Sequence, residues 1–296
     1  MDILLIENLL KDKDYVTFQE NILKYHTADI AEFLDELDAK ATLLVFRLLP
    51  KDLAADVFAE LSGESQSELS QLVSERELHD ILDDLNFDDK IDFLEELPAN
   101  VVKRILLNAT EPQRKLINQF LNYPEDSAGS IMTIEFVDLK QEMTVQEALE
   151  KVRTIALDKE TIYTCYVTDA YRHLEGVLSL RDLVIAPPDE KIGKIMRCEV
   201  ISANTHDDKE LVADQIKKYD LLAIPVTDNE NRLVGIVTVD DIVDVIEDEN
   251  TEDFHKMATV GRIDIGLLDA KPFFLIKRRL PWLVLLIFVN IFSGAG

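Results

Sequence analysis

The densest chemistry in this 296-residue sequence is a run of carboxylates. Residues 240–253 read DDIVDVIEDENTED, with eight Asp or Glu and no Lys or Arg. Asp241, Asp244, Asp248 and Glu252 recur at spacings of three and four, which places them on one face of a helix, and Ile242, Val245 and Ile246 give that helix an apolar stripe. Like charges so spaced cost a helix roughly a few tenths of a kcal/mol per pair. Such a row is either a solvated face or a face whose counter-ions are supplied. Carboxylates without thiolates or clustered imidazoles select hard divalent cations, Mg²⁺ or Ca²⁺. There is no D-x-D-x-D-G loop, which excludes an EF-hand, and scattered ligands completed by water suit Mg²⁺ better than a calcium cage. The whole chain shares this bias: 31 Lys and Arg stand against 58 Asp and Glu, a net charge of -27. That balance attracts cations and repels nucleic acid and anionic lipid, although solubility alone would also explain it.

A second constellation occurs twice. Gly176, Ser179 and Asp182 in GVLSLRDL match Gly235, Thr238 and Asp241 in GIVTVDDI, 59 residues on. Thr168-Asp169 and Thr227-Asp228 keep the same offset, and Ile131-Met132 and Ile195-Met196 open the two copies. The glycine is expected to let paired strands turn tightly, and the hydroxyl and carboxylate to sit at a helix start as caps. Other chemistry is missing. Cys165 and Cys198 form no C-x-x-C, the five histidines have no metal-ligand spacing, and there is neither a nucleophile–base pair nor a phosphate loop. The chain reads as a non-enzyme.

The elements that must position these groups fall into successive regions. Residues 1–128 are expected to be helical. Phe33-Leu34-x-x-Leu37, Val57-Phe58-x-x-Leu61 and Ile81-Leu82-x-x-Leu85 recur every 24 residues, and Phe93-Leu94-x-x-Leu97 follows at half that interval. This period predicts stacked short helix pairs, broken at Pro50, Pro98, Pro112 and Pro124. Residues 129–190 and 191–246 are the two copies, β-rich runs alternating with helices, joined at Pro187-Pro188. The acidic helix is expected over 240–270. In 271–296, Lys277-Arg278-Arg279 and Pro281-Trp282 precede LVLLIFVNIF. The apolar stretch is shorter than the roughly 20 residues a span needs. Its basic and aromatic flanks nonetheless predict the start of a membrane helix, with everything upstream in the cytosol.

Each copy resembles a CBS module, and the order of regions resembles the MgtE family of magnesium transporters. The resemblance runs from about residue 20 to the end, through LLPKDLAADV, YPEDSAGSIMT, TIYTCYV, GVLSLRDL, YDLLAIPV, GIVTVDDIVDVIEDENTEDFHK and RRLPWLV. It implies an α plus α/β multidomain chain: an all-α superhelical N domain, a tandem CBS pair, a long acidic plug helix and the start of a membrane helix. It further implies a homodimer joined through its CBS domains, attached to its own pore in the cell membrane and multi-pass when full-length. Regulatory Mg²⁺ would bridge carboxylates of the N domain, CBS domains and plug helix and hold the pore closed; low Mg²⁺ would release it. The implied ligands are Asp56, Asp88 and Asp92 in the N domain and Asp208, Glu210 and Asp220 in the second CBS copy. On and around the plug helix they are Asp241, Asp244, Glu249, Glu252 and Asp253. Some family members also bind ATP at the CBS pair. Arg181 and Asp182 match the phosphate and ribose positions, whereas Leu221 and Thr164 stand where an aromatic would stack on adenine. The alternative is a CBS-based adenine-nucleotide sensor regulating another membrane protein.

Overall fold

The computed structural model describes residues 3–246 and Glu249. Its first part is a run of short helices: α1 (Ile3–Lys11), α2 (Tyr15–Ile22), α3 (Thr27–Asp35), α4 (Ala39–Leu48), α5 (Lys51–Ala59), α6 (Gly63–Leu72), α7 (Glu75–Asp84), α8 (Phe87–Glu96), α9 (Ala99–Asn108) and α10 (Glu111–Phe120). Helices this short are marginal alone, so packing must hold them. Each leans on the next but one: α3 on α5, α5 on α7, α4 on α6 and α6 on α8. One helix pair therefore takes 24 residues, which is the period in the sequence. The repeated apolar pairs Phe33-Leu34, Val57-Phe58 and Ile81-Leu82 are buried along this stack. Phe58 meets Phe46 and Phe93 edge-on, with ring centroids 6.3 and 5.0 Å away. Asp38, Ser62, Ser74 and Thr110 cap α4, α6, α7 and α10 through their side chains. Pro50 and Pro98 stand just before α5 and α9, as expected. Pro112 does not: it lies inside the first turn of α10, where a missing N–H leaves no bond unmade.

Two copies of one β–α–β–β–α motif follow. The first holds β1 (Val137–Leu139), α11 (Val145–Ile155), β2 (Thr164–Thr168), β3 (Leu174–Ser179) and α12 (Leu180–Ile185), with the short α13 (Ile192–Ile195) leading out. The second holds β4 (Ala203–Asn204), α14 (Lys209–Tyr219), β5 (Ala223–Thr227) and β6 (Leu233–Thr238), then a helix over residues 239–246, α15. Each sheet has three strands in sequence order. The first strand pair is parallel in both copies, with Leu139 beside Val167 and Ala203 beside Val226. The repeated Thr-Asp pairs prove to be turn chemistry. Asp169 Oδ1 accepts the backbone N–H groups of Tyr171 and His173, and Asp228 Oδ1 accepts those of Glu230 and Arg232. Arg172 and Asn231 then take left-handed backbone angles, φ 71° and 60°.

The copies interlock. Thr133, ahead of the first sheet, exchanges two backbone bonds of 2.8 and 2.9 Å with Ile236 in β6. Arg197, ahead of the second sheet, exchanges bonds of 2.9 and 2.8 Å with Val177 in β3. The motif glycines serve this crossing and not a tight turn, which corrects the sequence expectation. A Cβ on Gly235 would stand 2.6 Å from Thr133 O, and one on Gly176 would stand 2.8 Å from Met196 Sδ; neither glycine needs a left-handed angle. Tyr166 packs with Ala223, Leu233 and Ile236 at this junction.

Two compact units result: the residues up to Asp208 together with Leu222–Val237, and Lys209–Leu221 together with the helix from Thr238. α14 buries Val212, Ala213 and Ile216, and α15 buries Ile242 and Val245. The expected ligands Glu252 and Asp253 lie outside the described residues, as do most of the acidic helix predicted over 240–270 and the segment 271–296. Among the described residues no helix is long and apolar enough to cross a membrane.

Candidate cation-binding carboxylates

Asp88 is the expected ligand whose surroundings are most unusual. It lies in the first turn of α8, and only 8% of it is exposed. Phe87 beside it is buried against Phe120, with ring centroids 4.7 Å apart, and that contact draws the turn inward. Burial pushes the Asp88 carboxyl up to about 7, and the charge of Asp89 adds to this. The backbone N–H groups of Asp89 and Asp88 oppose it, and Glu135 adds a further push upward. Asp88 Oδ1 is buried without a hydrogen-bond partner. On the same helix, burial lowers the pKa of Lys90, while Asp83, Glu135 and Asp84 pull it back up. Asp84 is already engaged by Lys51 at 2.8 Å, and Asp83 by His79 at 3.0 Å.

The remaining expected ligands are placed individually. Asp56 on α5 and Asp92 on α8 are exposed, as are Asp208 and, in the first turn of α14, Glu210. Asp220 is exposed with φ 50°, and the N–H of Leu221 reaches back to Ile216 O at 3.1 Å. Asp220 thus closes α14 in a left-handed cap, a conformation Asp tolerates better than most residues. Asp244 is exposed, and Asp241 and Glu249 are half-buried. Among the described residues no three Asp, Glu, His or Cys side chains gather closely enough to form a metal cage. What the fold offers is dispersed carboxylates, one of them with an uncompensated buried oxygen. All are oxygen donors, and an orphaned carboxylate oxygen is the kind of group a hydrated Mg²⁺ satisfies with few protein ligands.

The repeated hydroxyl–carboxylate motif is a pair of caps. Ser179 Oγ accepts the N–H of Asp182 at 3.2 Å, and Asp182 Oδ2 accepts the Ser179 N–H and O–H at 2.8 and 2.7 Å. These bonds hold the Asp182 carboxyl below its usual range. Thr238 gives its N–H and O–H to Asp241 Oδ2 in the same manner. Arg181 is exposed, and Thr164 and Leu221 are half-buried. Sequence reasoning missed Glu135, which comes from outside α8 with no shared spacing. The burial of Asp88 did leave a signal. Phe87-Asp88-x-x-Ile91 repeats the apolar i, i+1, i+4 pattern of the region with a carboxylate in the second apolar position.

Comparison with known proteins gives a concordant picture. A family model described as the MgtE intracellular N domain matches residues 25–126, and the CBS domain model matches residues 128–189 and 192–248. The chain is 39% identical to the magnesium transporter MgtE of Thermus thermophilus over 98% of its own length and 65% of that relative's. It is 37% identical to the magnesium transporter MgtE of Bacillus subtilis over 99% of its length and 64% of the relative's. The chain therefore spans just under two thirds of the curated relatives it matches. Its fold matches a crystal structure of the cytosolic domain of the Mg²⁺ channel MgtE in complex with ATP, with a TM-score of 0.78 and 37% identity. That match covers 82% of this chain and 99% of the other. The soluble part of a magnesium transporter matches with a TM-score of 0.76 and 35% identity, over 83% and 97% of the two chains.

Proposed function

The chain belongs to the MgtE family of magnesium transporters, and we propose that it is the Mg²⁺-sensing and gating region of such a transporter. The observation that carries this reading is the match to magnesium transporters along 98% of the chain. The carboxylate chemistry agrees with it. Asp56, Asp88 and Asp92 would hold Mg²⁺ on the N domain. Asp208, Glu210 and Asp220 would do so on the second CBS copy, and Asp241, Asp244, Glu249, Glu252 and Asp253 on and around the plug helix. Bound Mg²⁺ supplies the positive charge that lets acidic surfaces approach one another. Bare carboxylates repel, the domains separate, and the pore in the remainder of the protein is released. The sensing region works as a homodimer joined through its CBS domains on the cytosolic side of the membrane, and it catalyses no reaction.

The energetics require many weak sites. Moving a two-state gate from 1:99 to 99:1 takes about 5.5 kcal/mol of differential binding. One site at a Mg²⁺ concentration near its Kd contributes RT ln 2, about 0.4 kcal/mol. A row of carboxylates reaches the total through number, and a net charge of -27 is what such a row leaves on the chain. Neutralising Asp241, Asp244 and Glu249 together in the full-length protein is expected to make it leak Mg²⁺ at high internal Mg²⁺. Gating unchanged in a flux assay would count against the proposal.

A second ligand is favoured by one observation, the ATP complex of the similar cytosolic domain. Arg181 and Asp182 would meet its phosphate and ribose, using the Asp182 oxygen that does not serve the cap. With Leu221 and Thr164 in place of a stacking aromatic, ATP is expected to bind weakly. Calorimetry with ATP before and after Asp182→Asn tests this, and unchanged binding in the variant would remove Asp182 from the site.

A further inference from the structure

The two CBS copies differ in charge at one end, and the difference lines a cavity. Strand registers equate Leu139 with Ala203, so Asp138, Lys140 and Lys151 correspond to Ser202, Asn204 and Gln215. At the hairpin turn Arg172 corresponds to Asn231. Three cations and a carboxylate in the first copy are thus neutral in the second. The second copy makes the same turn and the same strand end without them, so folding does not require the charges. Something else must explain them.

A cavity of about 260 Å³ opens there, walled by Phe136 and Leu233 and edged by Asp138, Lys159, Thr168 and Arg172. Asp138 is neutralised twice over, by Lys151 at 3.0 Å and Lys140 at 3.6 Å. Burial works against its charge, yet these lysines outweigh burial and hold the carboxyl below its usual range. Lys140 also donates to Thr168 Oγ1 at 2.6 Å and Asp169 O at 2.9 Å, which leaves the threonine's own proton available to a ligand. Arg172 donates one N–H to Leu233 O at 2.7 Å, which fixes its guanidinium at the rim with further donors unspent. Among the described residues neither Lys159 nor Arg172 has a carboxylate within ion-pair distance. Two lysines thus neutralise the one carboxylate, and Lys159 and Arg172 add two further cations at the cavity edge, on a chain whose overall field disfavours anions.

We propose that this cavity binds a small phosphate-class oxyanion, with Arg172 and Lys159 as charge partners and Thr168 as the neutral donor. An Arg rim suits a tetrahedral oxyanion because its planar fork can bond two oxygens at once. The cavity falls below the roughly 300–1,000 Å³ usual for drug-sized ligands, so inorganic phosphate or pyrophosphate fits better than a whole nucleotide. It also lies away from the repeated motif. Thr164 pairs with Ser179 at one end of β2, while Thr168 lies at the other, roughly 13 Å along the strand. The inference does not depend on the magnesium reading.

The test is calorimetry on the full chain with inorganic phosphate and then pyrophosphate, in chelator-treated, Mg²⁺-free buffer at constant ionic strength. Both probes should bind saturably, pyrophosphate the more tightly. The double variant Arg172→Asn, Lys159→Gln should weaken both at least tenfold. Asn is already accepted at the equivalent turn position, so the melting temperature should hold. If Arg172→Asn does shift the melt, Lys159→Gln alone decides, with at least a threefold loss expected. Absence of saturable binding of either probe to the parent chain would overturn the proposal, as would undiminished affinity in the deciding variant.

Discussion

Gly235→Ala tests the interlocked CBS pair most sharply. The added methyl would stand 2.6 Å from Thr133 O, 2.9 Å from Met132 Sδ and 3.0 Å from Met132 Cγ. The sulfur can swing away, because methionine adapts. The carbonyl cannot retreat without stretching the paired bonds of 2.8 and 2.9 Å between Thr133 and Ile236. Overpacking alone costs about 1–3 kcal/mol, and each weakened hydrogen bond adds about 0.5–1.5 kcal/mol. A loss of about 3 kcal/mol is expected, a large part of the 5–15 kcal/mol typical of a domain. The pseudo-equivalent Gly176→Ala provides the control. Its closest neighbour, at 2.8 Å, is the sulfur of Met196, and the nearest carbonyl, Arg197 O, is 3.1 Å away, so about 1 kcal/mol is expected. Urea unfolding followed by circular dichroism, with Cm compared at constant m, would read both. A Gly235→Ala cost no larger than that of Gly176→Ala would refute the reasoning.

Other consequences follow from single groups. The Asp88 carboxyl rises from 3.8 to about 7 on folding, so its contribution is fully present below about pH 4 and is lost as pH rises through 7. Asp88→Asn should therefore leave stability near pH 4 unchanged and raise it at pH 8 by about 2–4 kcal/mol, read as a pH series of denaturation midpoints. Ser179→Ala removes one half of a capping box and should cost about 1 kcal/mol. The Tyr166 hydroxyl is buried without a hydrogen-bond partner. Tyr166→Phe should consequently be neutral or stabilise by up to about 1 kcal/mol in the same assay, and a loss above 1 kcal/mol would reveal a partner for that hydroxyl.

How far the sequence could be read depended on whether a feature was periodic. The 24-residue recurrence of Phe33-Leu34 and Val57-Phe58 announced helix pairs, because stacked units must bury the same face each time. The 59-residue offset of Thr168-Asp169 and Thr227-Asp228 announced a duplication, and even the chemistry of its turns lay in those letters. The reason for the motif glycines was not legible. The atoms they admit, Thr133 O and Met196 Sδ, come from the opposite copy, and no local pattern reports a crossing between copies. The candidate ligands divide along the same line. The carboxylates of α15 stood out as a run, whereas the shift of Asp88 arises from its burial and from Glu135, which reaches it from outside α8. The charge asymmetry at Arg172 and Asn231 was open to anyone aligning the copies, but it acquired meaning only when the sheet placed it on a cavity.

The most direct test of the magnesium reading is a Mg²⁺ titration of this chain followed by calorimetry and small-angle scattering on the same samples. Saturable heat from several weak sites is predicted, together with a fall in the radius of gyration as the acidic surfaces close. Both should be blunted by Asp241→Asn, Asp244→Asn and Glu249→Gln combined. Heat that never saturates and a radius that does not move, with nucleotide binding intact, would contradict it.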